Sequence, residues 1–95
     1  MTTTWSRNPR THLTELGDGS GVLLDMDTRF YFTLNPTAVH VWRLLTTDDR
    51  WTLDRLVAAT VANFEVDEDD ARADIEALLE TFVTEGVAKR ADDQG

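Results

Sequence analysis

The spacing of apolar side chains along this chain changes once, at Asn35, from a strand-like repeat to a helical one. His12, Thr14 and Leu16 alternate with Thr11, Leu13 and Glu15, which predicts a first strand. Gly17-Asp18-Gly19-Ser20-Gly21 reads as a flexible turn. Val22-Leu23-Leu24-Asp25-Met26 and Arg29-Phe30-Tyr31-Phe32-Thr33-Leu34 are two further β-rich runs, and the pair Asp27-Thr28 between them predicts a tight hairpin. A three-stranded antiparallel meander is therefore expected to end at Leu34. Residues 1–10 are polar and unpatterned, with Asn8-Pro9 near their end, and are expected to be a flexible tail.

Three helices are expected after the meander. Asn35 can cap the first, with Pro36 at the position where no amide donor is needed, and Ala38, Val41, Trp42 and Leu45 form its inward stripe. Thr52 can cap a second, whose stripe is Leu53, Leu56, Val57, Val61 and Phe64. Asp67 can cap a third. Glu68, Asp69 and Asp70 then lie in its first turn, where the helix dipole favours acids, and Val66 and Ala71 are placed as the flanking staple. Its stripe is Ala71, Ile75, Leu78, Leu79 and Phe82, and Gly86 ends it. This order predicts an α+β domain of winged helix-turn-helix-like type over residues 11–90, with a second flexible tail at 91–95. Trp5 and Trp51 have no assignable role in that scheme.

Composition narrows the chemistry. At 95 residues there is room for one domain, and 41% hydrophobic residues make disorder an unsuitable description. No apolar run reaches the ~18 residues of a membrane span, and cysteine is absent, so the expected location is cytoplasmic, with no membrane partner. Eighteen acidic against nine basic side chains give a formal net charge of −9, which disfavours nucleic acid and favours a basic or neutral partner. His12 and His40 have no second ligand at metal spacing, and His40 lies off the apolar stripe, as a solvated surface histidine would. Ser20 sits in a glycine turn leading into a strand, the wrong setting for a nucleophile elbow, and the same setting disqualifies the glycines as a phosphate loop. The run Asp67–Asp70 lacks the glycine and terminal glutamate of a calcium loop. These absences predict a domain without catalysis, metal or cofactor.

One stretch carries a resemblance. An apolar strand after Gly21, a turn, Tyr31-Phe32-Thr33-Leu34-Asn35-Pro36-Thr37, and a helix bearing Trp42 resemble the PqqD-like family. These are the RiPP recognition elements, which bind the leaders of ribosomally made peptides. The Thr52–Val57 helix, the Phe64–Asp67 joint and the Glu85-Gly86-Val87 ending fit as well, so the likeness spans Gly21 to Val87. Leu34-Asn35-Pro36-Thr37 looks most like the discrete B proteins of lasso peptide clusters, although Ala38 stands where family members commonly have glycine.

The resemblance implies leader binding by strand addition, with delivery to a separate leader peptidase and a cyclase. The net charge of −9 and the acidic last helix predict a leader that is basic around an apolar anchor. The strand 29–34 ends the meander and so has an open edge. Arg29, Phe30, Tyr31, Phe32, Thr33 and Leu34 are the strand residues of that expected site. Edge amides alternate, so only one of Tyr31 and Thr33 is expected to face the leader. The last helix is implied to close the groove with Asp69, Arg72, Ala73, Glu76 and Glu80. Each also has a plainer reading: Phe30, Phe32, Leu34 and Trp42 as core, and Asp69, Arg72 and Glu76 as a solvated face pairing within itself. Alternatives in function are a PqqD-type chaperone for a radical enzyme, a winged-helix nucleic-acid binder, and a module that dimerises through the same edge. A helix with a basic cluster would favour nucleic acid, and none is present.

Overall fold

Every helix begins where the sequence places a capping side chain. In the computed structural model, which describes residues 2–48 and 50–93, the order is β1 (Thr2–Arg7), β2 (Thr11–Glu15), β3 (Gly21–Asp25), β4 (Tyr31–Leu34), α1 (Pro36–Leu45), α2 (Leu53–Asn63), α3 (Glu68–Thr84) and β5 (Ala88–Asp93). The Asn35 side chain accepts from the Ala38 amide at 2.8 Å, Thr52 from Arg55 at 3.2 Å, and Asp67 from Asp69 at 3.1 Å and Asp70 at 3.4 Å. Past the end of α3, Gly86 takes φ 79°, the Val87 amide donates to the Phe82 carbonyl, and the Gly86 amide donates to that of Val83. That pair of bonds is a Schellman ending, which returns the chain onto the core at buried Val87.

The core is shared by all three helices and one sheet face. Ala38, Val39, Val41, Trp42 and Leu45 are buried on α1, and Ala71, Ile75, Leu79 and Phe82 on α3, with Trp42 and Phe82 meeting edge to face at 5.6 Å. On α2 the stripe differs from expectation. Leu56, Val57 and Thr60 are buried, whereas Val61 and Phe64 remain more than a third exposed. Thr60 can take the inward place because its hydroxyl donates to the Leu56 carbonyl at 2.8 Å, leaving no unsatisfied polar group.

The meander is present as an antiparallel sheet in the order β2-β3-β4. Leu13, Leu23 and Phe32 lie opposite one another in its register and lay one row across the core. Gly21 is required beneath α1: a Cβ there would stand 2.8 Å from Leu13 Cδ1 and 3.1 Å from Val39 Cγ2. The hairpin is wider than the expected two-residue turn. The Asp25 amide donates to the Phe30 carbonyl, the Asp25 carbonyl accepts from Arg29, and the Asp25 carboxylate accepts from the Asp27 amide. Arg29 takes a left-handed φ of 60° to close this four-residue loop, so Arg29 and Phe30 precede β4 instead of belonging to it.

The largest departure is at the chain ends. Residues 2–7 are not a tail: β1 pairs along its whole length with β5, from Thr2 opposite Asp93 to Arg7 opposite Ala88. Ala91–Asp93 are likewise strand, and Gln94 and Gly95 lie outside the described residues. This ribbon is fixed to the body by Trp5 and Trp51, whose amides each donate to the other's carbonyl at 2.8 and 2.9 Å. The Arg55 guanidinium stacks over Trp51, 4.2 Å from the ring centre. Both tryptophans thereby acquire a role. The mostly polar alternation of Thr2–Arg7 hid the strand, although its run of threonines is β-prone. Among the described residues no helix is long and apolar enough to cross a membrane.

Candidate functional site

The edge of β4 is open, and its hydrogen-bonding phase is fixed from both sides of β3. Antiparallel strands turn successive residues to alternate sides. The Asp25 amide donates to the Phe30 carbonyl, so in this register Phe32 and Leu34 direct their amides and carbonyls at β3, while the Phe30 amide donates to Thr28 Oγ1. On the other side of β3, the bonds Leu16 to Ser20 and Met26 to Arg10 show that its even-numbered residues serve β2, which agrees. Tyr31 and Thr33 therefore both present their backbone groups outward. The expectation that only one of them would do so is corrected by this register, because residues two apart point the same way.

Side chains follow the complementary alternation. Leu34 is buried and Phe32 half-buried toward the core, while Tyr31 is 66% exposed and Thr33 is also exposed. Phe30 is 52% exposed at the turn, its ring 6.4 Å from that of Phe32, and is not a core residue. An apolar, aromatic lip thus runs beside two outward amides and two outward carbonyls.

The end of β4 leads into a trench between α1 and α3. Asn35, Thr37 and Ala38 share a cleft of about 350 Å³ with Asp74, Ala77 and Leu78. A second, more apolar pocket of about 240 Å³ adjoins it at the α2–α3 joint, where Phe64, Val66, Ala71 and Ile75 are rimmed by Glu65 and Asp74. Thr37 and Asp74 line both.

Of the helix residues expected in this groove, none lines the two cleft pockets of the trench. Arg72 donates to Asp54 of α2 at 2.8 Å and lies 3.9 Å from Glu68; the Asp54 hydrogen bond raises its pKa further above the ordinary value. Glu76 and Glu80 line a depression with Thr3, Trp5, Leu53 and Arg90, on the ribbon side, and Glu80 also borders a shallow depression with Ala77 and Thr81 of the trench flank. Asp69 and Ala73 are exposed and line neither cleft of the trench. The sequence marks the core stripe of α3, but the stripe has two flanks, and the flank along the trench is Asp74, Ala77, Leu78 and Thr81. A three- or four-residue spacing cannot distinguish them.

His40 also departs from expectation. It is half-buried, its ring meets Phe64 edge-on at 4.9 Å, and its Nε2 has no hydrogen-bond partner among the described residues. Desolvation, and then the neighbouring Arg43 charge, lower its pKa below 6.5. Among the described residues no group of three or more His, Asp or Glu is placed to hold a metal ion.

A family model described as coenzyme PQQ synthesis protein D (PqqD) matches residues 20–88, from the turn before β3 to the start of β5. The chain belongs to the PqqD family. Two solved structures share the fold of this PqqD-family chain. TbiB1 in complex with the TbiA(beta) leader peptide is 22% identical, with a TM-score of 0.78 over 93% of this chain and 99% of that one. Lasso peptide synthetase B1 complexed with the leader peptide is 28% identical, with a TM-score of 0.70 over 90% and 96%. The likeness therefore extends beyond the residues of the family match. No curated protein sequence matches the chain.

Proposed function

We propose that this PqqD-family chain binds the leader region of a ribosomally made precursor peptide, of the lasso class, and delivers it to a separate leader peptidase and cyclase. The leader lies as an added strand on β4, its main chain bonded to Tyr31 and Thr33 and its continuation in the trench beside α3. The observation that carries this reading is the open β4 edge, whose outward donors and acceptors lead directly into that trench. Both solved relatives named above hold leader peptides, which supports it. The domain itself performs no chemistry and works in the cytoplasm. Support for a purely binding role is the poverty of nucleophiles, with no cysteine and only two serines in the whole chain.

Electrostatics support a peptide over a nucleic acid. Arg10, Arg43, Arg55 and Arg72 are each paired with a carboxylate, on a chain of net charge −9. The family's own description favours a second reading, a chaperone in coenzyme PQQ synthesis. The test is a fluorescence titration with leaders of both classes, beside mass spectrometry of each precursor incubated with the domain. Saturable binding of a lasso leader with an unchanged precursor mass is expected. Binding of the PQQ precursor alone would transfer the role to that pathway, and a cleaved or cyclised product would overturn the non-catalytic assignment.

A further inference from the structure

The trench beyond β4 has a chemical character of its own. Its inner pocket, about 240 Å³, is smaller than the cavities that hold whole small-molecule ligands and matches one large side chain. The walls are Phe64, Val66, Ala71 and Ile75, so the side chain that fits is apolar. Glu65 and Asp74 stand at its rim, both exposed, and neither has an ion-pair partner among the described residues. They contrast with Asp54 and Glu68, which engage Arg72 on the opposite flank of α3.

We infer that this pocket and the Asp74 carboxylate form a two-part subsite that selects, from a peptide paired with β4, an apolar side chain with a basic one two residues away. Continuity argues for the same occupant along both. The trench starts at Asn35, the residue after β4, so a strand added to that edge runs on over Thr37 and reaches Asp74. In an extended peptide, side chains two residues apart point to the same face, roughly 7 Å from one another. One can enter the pocket while the other lies along the rim, where Asp74 and Glu65 offer two negative charges. A basic group there gains a partner, and an acidic one meets like charge. Asp74 lines both cavities, which makes it the residue that couples the charge preference to the apolar anchor.

The inference rests on strand addition at β4, and the test separates the two. The probes are fluorescein-labelled twelve-residue peptides of Thr and Val with one Phe, carrying Lys, Gln or Glu at the position two residues before or two residues after it. On the unaltered chain, the best Lys peptide should bind up to about fivefold more tightly than its Gln counterpart, with Glu weaker again. Replacing the peptide's Phe with Ala should cost roughly tenfold or more. Asp74→Asn should erase the Lys preference and Asp74→Lys should reverse it, both with an unchanged melting temperature. An undiminished Lys preference in Asp74→Asn, or indifference to the Phe, overturns the subsite alone, provided Thr33→Pro still abolishes binding. If no peptide binds, or Thr33→Pro binds all of them normally, strand addition fails and the subsite with it.

Discussion

Proline substitution along β4 separates the residues that hold the sheet from those that face outward. At Thr33 the amide points away from β3, so Thr33→Pro deletes no ladder bond, and its folding cost should stay within about 1 kcal/mol. For binding the same change is severe. A lost donor is worth about 0.5–1.5 kcal/mol, and the leader carbonyl left facing the ring costs about 1–3 kcal/mol more. The sum, roughly 2–4 kcal/mol, weakens affinity by about 30- to 1,000-fold. Tyr31→Pro should behave in the same way. At Phe32 the consequences invert, because its amide serves the pair with Leu23 and its ring packs against the core. Losing the ladder bond costs about 1–3 kcal/mol and the aromatic ring about 3 kcal/mol more, which together rival the whole stability of a small domain. Circular dichroism melts beside fluorescence anisotropy with a labelled leader would read both quantities. A folded Phe32→Pro beside an unfolded Thr33→Pro would refute the register, and tight binding by folded Thr33→Pro and Tyr31→Pro would refute strand addition.

Other consequences follow from particular contacts. Trp5→Ala should lower stability by about 3 kcal/mol in urea titration through loss of the indole's packing against the core, the backbone bonds to Trp51 being kept, while leader affinity persists. Gly21→Ala should cost about 1–3 kcal/mol, since its Cβ must displace Leu13 or Val39; an unchanged melting temperature would contradict the close approach of α1. Because burial depresses the pKa of His40, folding favours its neutral form: its contribution is full above about pH 6.5 and is lost as pH falls through the lower folded-state value. His40→Gln should flatten that part of the urea-midpoint profile. Arg72→Ala should leave leader affinity unchanged, since Arg72 engages Asp54 on the flank away from the trench.

The elements that were legible in the sequence are those with a local physical signature. Asn35-Pro36, Thr52 and Asp67 announce helix starts through side-chain acceptors, and the stripes of α1 and α3 announce burial through period. The β4 edge was legible as well, because a strand that ends a meander has no further partner in sequence. What escaped depended on distant partners. Thr2–Arg7 becomes a strand only through β5, more than eighty residues away, and its single large apolar residue, Trp5, gave no period. The groove flank of α3 depended on how the helix lies against the sheet, a relation that no spacing within residues 68–84 encodes. His40 was misplaced because Phe64, which covers it, was itself assigned to the α2 core.

The ribbon of β1 and β5 closes a loop that contains nearly the entire chain, yet it shares no strand with the sheet that carries β4. Loop-closure entropy grows only logarithmically, so this long closure costs little more than a shorter one, but it is a non-local contact that cannot form early. The ribbon is thus a separate cooperative unit, able to fray and re-zip while β2-β3-β4 stays intact. In amide hydrogen exchange, Thr2–Arg7 and Ala88–Asp93 should lose protection together and ahead of Leu23. A protein fused to either end would then pull first on a latch that can open without disturbing the edge where a peptide is held.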